Sequence, residues 1–193
     1  MDINKAIRKQ NRSFKIFMLT ICFIFFMNPI ILYLSQIRNI ILLIILGIIE
    51  ILIVIVASVA INNQRLDYDI KNDYIIIKSG FIKREKAIVF LESVCGIHVY
   101  KSNDDIKIII FTTRKIPLKS CRVLGEVKFK KNKDLYNLVE RMVRKNKEKI
   151  YFYTVKTGGY KKYLLLDYLY KNCIYSIVSS SAIEEIKRYR EEY

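Results

Sequence analysis

Two groups of residues in this chain have the types and spacing to carry chemistry. In residues 75–90, IIIKSGFIKREKAIVF, Lys78, Lys83, Arg84 and Lys86 gather around a Ser79-Gly80 turn. Such a patch suits an acidic partner, and each Lys or Arg beside an anionic membrane contributes about 1 kcal/mol. Away from such a surface, the same charges form an ordinary solvated hairpin face. The second group is Asn28 and Glu50, polar residues inside long apolar runs. An intramembrane carboxylate is a functional candidate by default. The plainer expectation is structural, because at about 1.5 Å per residue the two positions fall at nearly one depth. A protonated Glu50 hydrogen-bonded to Asn28 would then satisfy both groups.

Other polar residues point to structure. The single histidine, His98, alternates with Val94, Gly96 and Tyr100, the register of a strand residue with a nearby partner. Cys22, Cys95, Cys121 and Cys173 form no CxxC pair and read as free thiols of a reducing compartment. Asp104-Asp105 is turn chemistry, and Gly158-Gly159 has no phosphate-loop context. Metal-ligand spacing and a nucleophile–base pair are both missing from the sequence. We therefore expect no catalytic, cofactor or metal site, and a protein that is not an enzyme.

The elements that position these residues follow from hydropathy. Of the 193 residues, 52% are hydrophobic and 27% charged, so the two kinds must be segregated along the chain. Residues 16–37 carry no charge, and 40–61 carry only Glu50. Each is long enough for a transmembrane helix, and Asn28-Pro29 is expected to kink the first. The short link between them makes a tight hairpin, since one continuous span would bury Arg38 at a cost of about 2.5–3.5 kcal/mol. Lys5, Arg8, Lys9, Arg12 and Lys15 precede the first span, whereas Arg38 alone marks the hairpin tip. The positive-inside rule then places both termini in the cytoplasm, with 1–15 a basic cytoplasmic segment.

From Leu66 the period changes. Short strands are predicted at 66–70, 74–78, 81–90, 94–100, 106–113, 116–118 and 123–129, separated by turn residues. Leu135, Leu138, Val139, Met142 and Val143 then form one helical stripe, capped by Asn132 or Asp134. About seven strands and a helix predict a barrel or sandwich closed by that helix over 66–148. Residues 149–193 add a strand, an amphipathic helix at 161–178 that lies on the membrane interface or a partner or packs on the domain itself, and a last helix. Ser181-Ala-Ile-Glu184 matches a capping box at its start.

Two amino-terminal spans followed by DYIIIKSGFIKREKAIVFLESV resemble the bacterial pleckstrin-homology-like membrane proteins of the YdbS/YdbT type. The matching pieces are Ile77-Lys78-Ser79-Gly80-Phe81, Lys83-Arg84, and 88–91 with Ser93-Val94, within a likeness covering 14 to about 147. Val89-Phe90 stand where that family usually has a proline. The resemblance implies a pleckstrin-homology-like β-barrel or sandwich anchored to the membrane, with no established enzymatic chemistry. A chain ending at Tyr193 would be a minimal or shortened member.

The net charge of +16, from 34 Lys and Arg against 18 Asp and Glu, argues for an acidic partner. Part of the lysine excess is background in a chain so rich in Ile, Asn and Tyr. Nucleic-acid binding is the runner-up use of the charge and is not expected: it needs a basic groove with stacking aromatics, whereas the strand tyrosines read as core or interface residues and the domain is tethered. The expected function is non-enzymatic binding or scaffolding at the cytoplasmic face of the bacterial membrane. Its partners would be anionic lipid headgroups, other membrane proteins or a second copy. The alternative is a transport or membrane-enzyme accessory subunit using Glu50 and Asn28.

Overall fold

The computed structural model describes residues 3–35, 39–80, 85–102, 105–118, 120–124, 133–145 and 149–192. Helix α1 spans Ile3–Leu34 and α2 spans Ile40–Gln64. Both are long and apolar enough to cross a membrane, and their most apolar stretches bury nothing inside the protein. Asn39 caps α2, its side-chain oxygen accepting from the Ile41 N–H at 3.0 Å. The basic segment before Ile16 is continuous with α1, since Lys, Arg and Gln are good helix formers. Pro29 lies inside α1, which runs through it as one helix.

Two sheets follow. Strands β1 (Leu66–Ile70), β2 (Tyr74–Ser79) and β3 (Glu85–Phe90) form an antiparallel meander. The second sheet holds β4 (Val94–Ser102), β5 (Asp105–Thr112), β6 (Arg122–Val123), β7 (Tyr151–Val155) and β8 (Ile177–Val178), in the order β6-β7-β5-β4-β8. Pairing is antiparallel except between β4 and β8. Alternation decides the packing. Ile75, Ile77, Ala87 and Val89 of the small sheet meet Ile97, Val99, Ile108, Ile110, Tyr153 and Val155 of the large one in a single core. Helix α3 (Lys133–Lys145) covers the opposite face, where Leu135, Leu138 and Met142 pack with Phe111 and Phe152.

Several expectations change here. Eight strands form two sheets, and among the described residues these do not close into a barrel. Residues 116–118 are not a strand; Ile116 instead plugs the core, with Pro117 removing a ladder donor. Of the strand expected at 123–129, Val123 pairs in β6, and 125–129 lie outside the described residues. Strand β7 lies between β5 and β6, so the large sheet is built from chain on both sides of residue 148. Val143, expected in the buried stripe of α3, is 54% exposed.

For the segment 161–178 the structure decides between the alternatives. Helix α4 covers Lys161–Asn172, and its Leu165, Leu166 and Leu169 are fully buried in the protein's own core. It therefore packs on the sheets instead of lying on a membrane surface. Periodicity identified an apolar face but not what covers it. Lys162 is also fully buried, donating to Asp105 Oδ1 at 2.5 Å and to the carbonyls of Ile106 at 2.6 Å and Lys156 at 3.1 Å. Helix α5 (Ser180–Glu192) completes the core with Ala182 and Ile186.

Candidate functional site

The basic hairpin is positioned by register. Lys78 and Lys86 are directly opposed on β2 and β3, and Asp67 of β1 faces Lys78 from the other side. This row lies on the face away from the core, because its neighbours Ile77 and Ala87 are buried. Like charges directly opposed repel, and Asp69 relieves them with an ion pair to Lys78 at 2.6 Å. The hydrogen bond and charge of Lys78 hold Asp69 below the usual carboxylate range. One of the four predicted cations is thus already paired, Lys86 is exposed, and Lys83 and Arg84 lie outside the described residues. The end of this hairpin has a defined place. Ser79 pairs with Leu66, and the Gly80 N–H donates to the Arg65 carbonyl at 3.3 Å, directly after α2. The strand ends leading into the basic turn therefore abut the helix hairpin.

Asn28 and Glu50 do not form the expected pair. Both carboxylate oxygens of Glu50 are shielded and have no hydrogen-bond partner among the described residues. Helix register explains this. The side chain of Gln64 donates to Asn11 Oδ1 at 3.0 Å and sets how the antiparallel helices face one another. Counted from that contact, Glu50 stands opposite Phe25, with Asn28 about 4.5 Å further along α1. Equal distance from the span ends was the wrong ruler, since the helices are aligned by polar residues at their other ends.

A joint that the sequence did not advertise locks the hairpin to the sheets. The Gly158 N–H donates to the Asn63 carbonyl at 2.9 Å, and the Tyr160 N–H donates to Gln10 Oε1 at 3.0 Å. The Lys161 ammonium bonds the Leu66 carbonyl at 3.1 Å and Asp67 Oδ1 at 3.3 Å. Gly158 and Gly159 have positive φ of 120° and 50°. A Cβ on Gly158 would fall 2.3 Å from the Leu66 Cβ, and one on Gly159 1.9 Å from the Gln10 amide nitrogen. The Gly-Gly pair was the available signal. Its use is close backbone approach, and phosphate has no part in it.

His98 is a fully buried strand residue whose partners come from far along the chain. Its Nδ1 lies 3.0 Å from Ser179 Oγ, 3.3 Å from Ser181 Oγ and 3.8 Å from Asp134 Oδ2. A Ser-His-Asp relay needs the hydroxyl and carboxylate on different ring nitrogens. Here both crowd Nδ1, while Nε2 is buried without a partner among the described residues, so the cluster cannot relay a proton to a serine nucleophile. It ties helix ends to β4 instead. Asp134 accepts from the backbone N–H groups of Ser180 and Ser181 at 3.4 and 3.1 Å, and Ser179 Oγ accepts from Ala182 N–H at 3.2 Å. Ser179 thus replaces the capping box predicted at Ser181, and Asp134 serves α5 as well as standing in the first turn of α3. Asn132 lies outside the described residues.

Burial lowers the His98 pKa from 6.5, with the Asp134 charge opposing. Below 6.5 the unfolded chain takes up a proton that the folded chain refuses, so stability falls with acidification until the lowered native pKa is passed. As the chain has one histidine, His98 controls this window. Urea titrations of the full chain in detergent should show stability falling as the pH drops through 6.5 toward the lowered native value. The slope should vanish in His98→Gln, and a wild-type curve flat from pH 7 to 5 would contradict this.

Comparison with family models, curated proteins and solved structures finds no match to this chain.

Proposed function

We propose that this protein is a non-enzymatic, membrane-anchored binding module. In this proposal α1 and α2 cross the bacterial cytoplasmic membrane as a hairpin with both termini in the cytoplasm. The two-sheet body is presented at the inner leaflet, where the β2–β3 hairpin contacts anionic lipid headgroups. The observation that carries this is the Gly80–Arg65 contact: the basic hairpin ends where α2 ends. Once α2 spans the bilayer, that end of the sheet is held at headgroup level. Support for the orientation comes from the five cations before Ile16. The order of two spans, strands and a covering helix supports a pleckstrin-homology-like domain of the YdbS/YdbT type, and the open two-sheet arrangement departs from that pattern.

The test uses the full chain in nanodiscs of phosphatidylcholine with and without phosphatidylglycerol. Amide exchange in β2 and β3 should slow when phosphatidylglycerol is present, and high salt should remove the effect. Lys78→Glu with Lys86→Glu should abolish it, the unpaired Lys86 contributing about 1 kcal/mol at such a surface and Lys78 less because Asp69 holds it. Exchange that ignores lipid composition would sink the lipid contact. Membrane proteins that copurify with the chain, or a second copy of it, would then be the partner.

A further inference from the structure

A second site lies at the foot of the helix hairpin, outside the basic sheet patch. A cleft of about 490 Å³ opens between α1, the last residue of α2 and Tyr160. Its walls include Lys9, Ser13, Phe14 and Phe17 of α1, together with Gln64 and Tyr160. Lys9, Ser13 and Phe17 are spaced by four, so they form one stripe of the helix, and Phe14 lies beside it, three residues before Phe17. Along that stripe the chemistry changes in order. Lys9 and Ser13 lie on the charged side of the Lys15–Ile16 boundary, and Phe17 lies beyond it, in the run without charge.

We infer that this cleft seats one anionic phospholipid of the cytoplasmic leaflet, its phosphate at Lys9 and Ser13 and its upper acyl chain against Phe14 and Phe17. The inference rests on α1 and α2 crossing the membrane. From Lys9 to Phe17 is about 12 Å along the helix. That exceeds the roughly 6 Å headgroup layer on one side of a bilayer, so the stripe begins among headgroups and ends in hydrocarbon. The amides that line the cleft are already engaged: Gln10 holds Tyr160, and Gln64 holds Asn11. Those bonds make the cleft a built feature and leave the charge to Lys9, which like Ser13 has no side-chain partner among the described residues. A free phosphate ester would satisfy Lys9 alone. The phenylalanine wall selects a ligand that carries a chain.

The test measures lipid selectivity of the full chain reconstituted in phosphatidylcholine bilayers, from the motionally restricted fraction of acyl-spin-labelled phosphatidylglycerol or phosphatidylcholine. Wild type should prefer phosphatidylglycerol by about fivefold, the effect of one lysine held at an anionic group. Lys9→Glu should remove the preference. Ser13→Trp should also remove it, because it fills the cleft without changing charge. Arg8→Glu makes the same charge change on the opposite face of α1 and should leave most of the preference. Equal losses in Lys9→Glu and Arg8→Glu would reduce the effect to general surface charge and overturn the seat. So would displacement of the labelled lipid by millimolar glycerol 3-phosphate, which would assign the cleft to a soluble ester. A preference abolished by Lys78→Glu with Lys86→Glu and untouched by Lys9→Glu would also overturn it, leaving the sheet contact standing. Failure of the chain to insert into bilayers would instead overturn the membrane reading itself.

Discussion

Replacing Gly158 with alanine should destabilise the protein by on the order of 4 kcal/mol. Two costs combine. Gly158 has φ of 120°, which an L side chain adopts only under strain, of about 1–3 kcal/mol. The new methyl would also overlap the fully buried Leu66, with atoms 2.3 to 2.9 Å away, so the core must shift. Such overpacking costs about 1–3 kcal/mol more. Gly158 also bonds Asn63 at the end of α2, so the same change should loosen the sheets from the helix hairpin. Buried Cys95 and Cys173 report unfolding, because burial pushes their pKa up to about 11 and about 12 and keeps both thiols inert in the folded chain. In a Cys22→Ser, Cys121→Ser background, their reaction with a thiol dye on heating should begin roughly 10 °C lower in Gly158→Ala. Gly47→Ala is the control, since a Cβ there meets nothing within 4 Å. Equal unfolding temperatures for Gly158→Ala and wild type would refute the assigned role.

Lys162→Ala should have a comparable effect by a different route. The ammonium satisfies the buried Ile106 carbonyl and the Lys156 carbonyl, which lie together just beyond the Ile108–Val155 end of the β5–β7 ladder. Removing it leaves acceptors without a donor, at about 1–3 kcal/mol each, and opens a cavity as well. Asp105 contributes less, since its side chain is 55% exposed and water replaces the lysine. Lys162→Met keeps most of the packing, so the Ala–Met difference isolates the cavity and the Met–wild-type difference isolates the polar contacts. Burial lowers the Lys162 pKa, with Asp105 opposing. Between the native and unfolded values the unfolded chain holds the extra proton, so this group favours folding more as pH rises through that window. The cost of Lys162→Met should therefore grow on the alkaline side. A methionine variant as stable as wild type at every pH would show that the lysine is merely tolerated.

The sequence by itself determined whatever depends on local period and charge. Two long apolar runs became α1 and α2, and alternation placed β1 to β5 within a few residues. The stripe of Leu135, Leu138 and Met142 became α3, and His98 took its place on a strand. The same information located Lys78 and Lys86 on the solvent face of a hairpin, because register follows from a period of two. Tertiary structure alone decided what each face meets. Nothing local told α4 that its leucines would cover a sheet instead of a membrane, or that Lys162 would find three acceptors inside the core. The Asn28–Glu50 pairing failed for a related reason: depth in a bilayer is a one-dimensional estimate, whereas the register of two helices is set by contacts such as Asn11–Gln64. The Gly158-Gly159 joint and the cleft beside it draw on α1, α2 and the start of α4. Their partners are separated by as many as 150 positions, as in the Gln10–Tyr160 bond. Sequence periodicity has no term for such a distance, and only the folded chain brings those residues together.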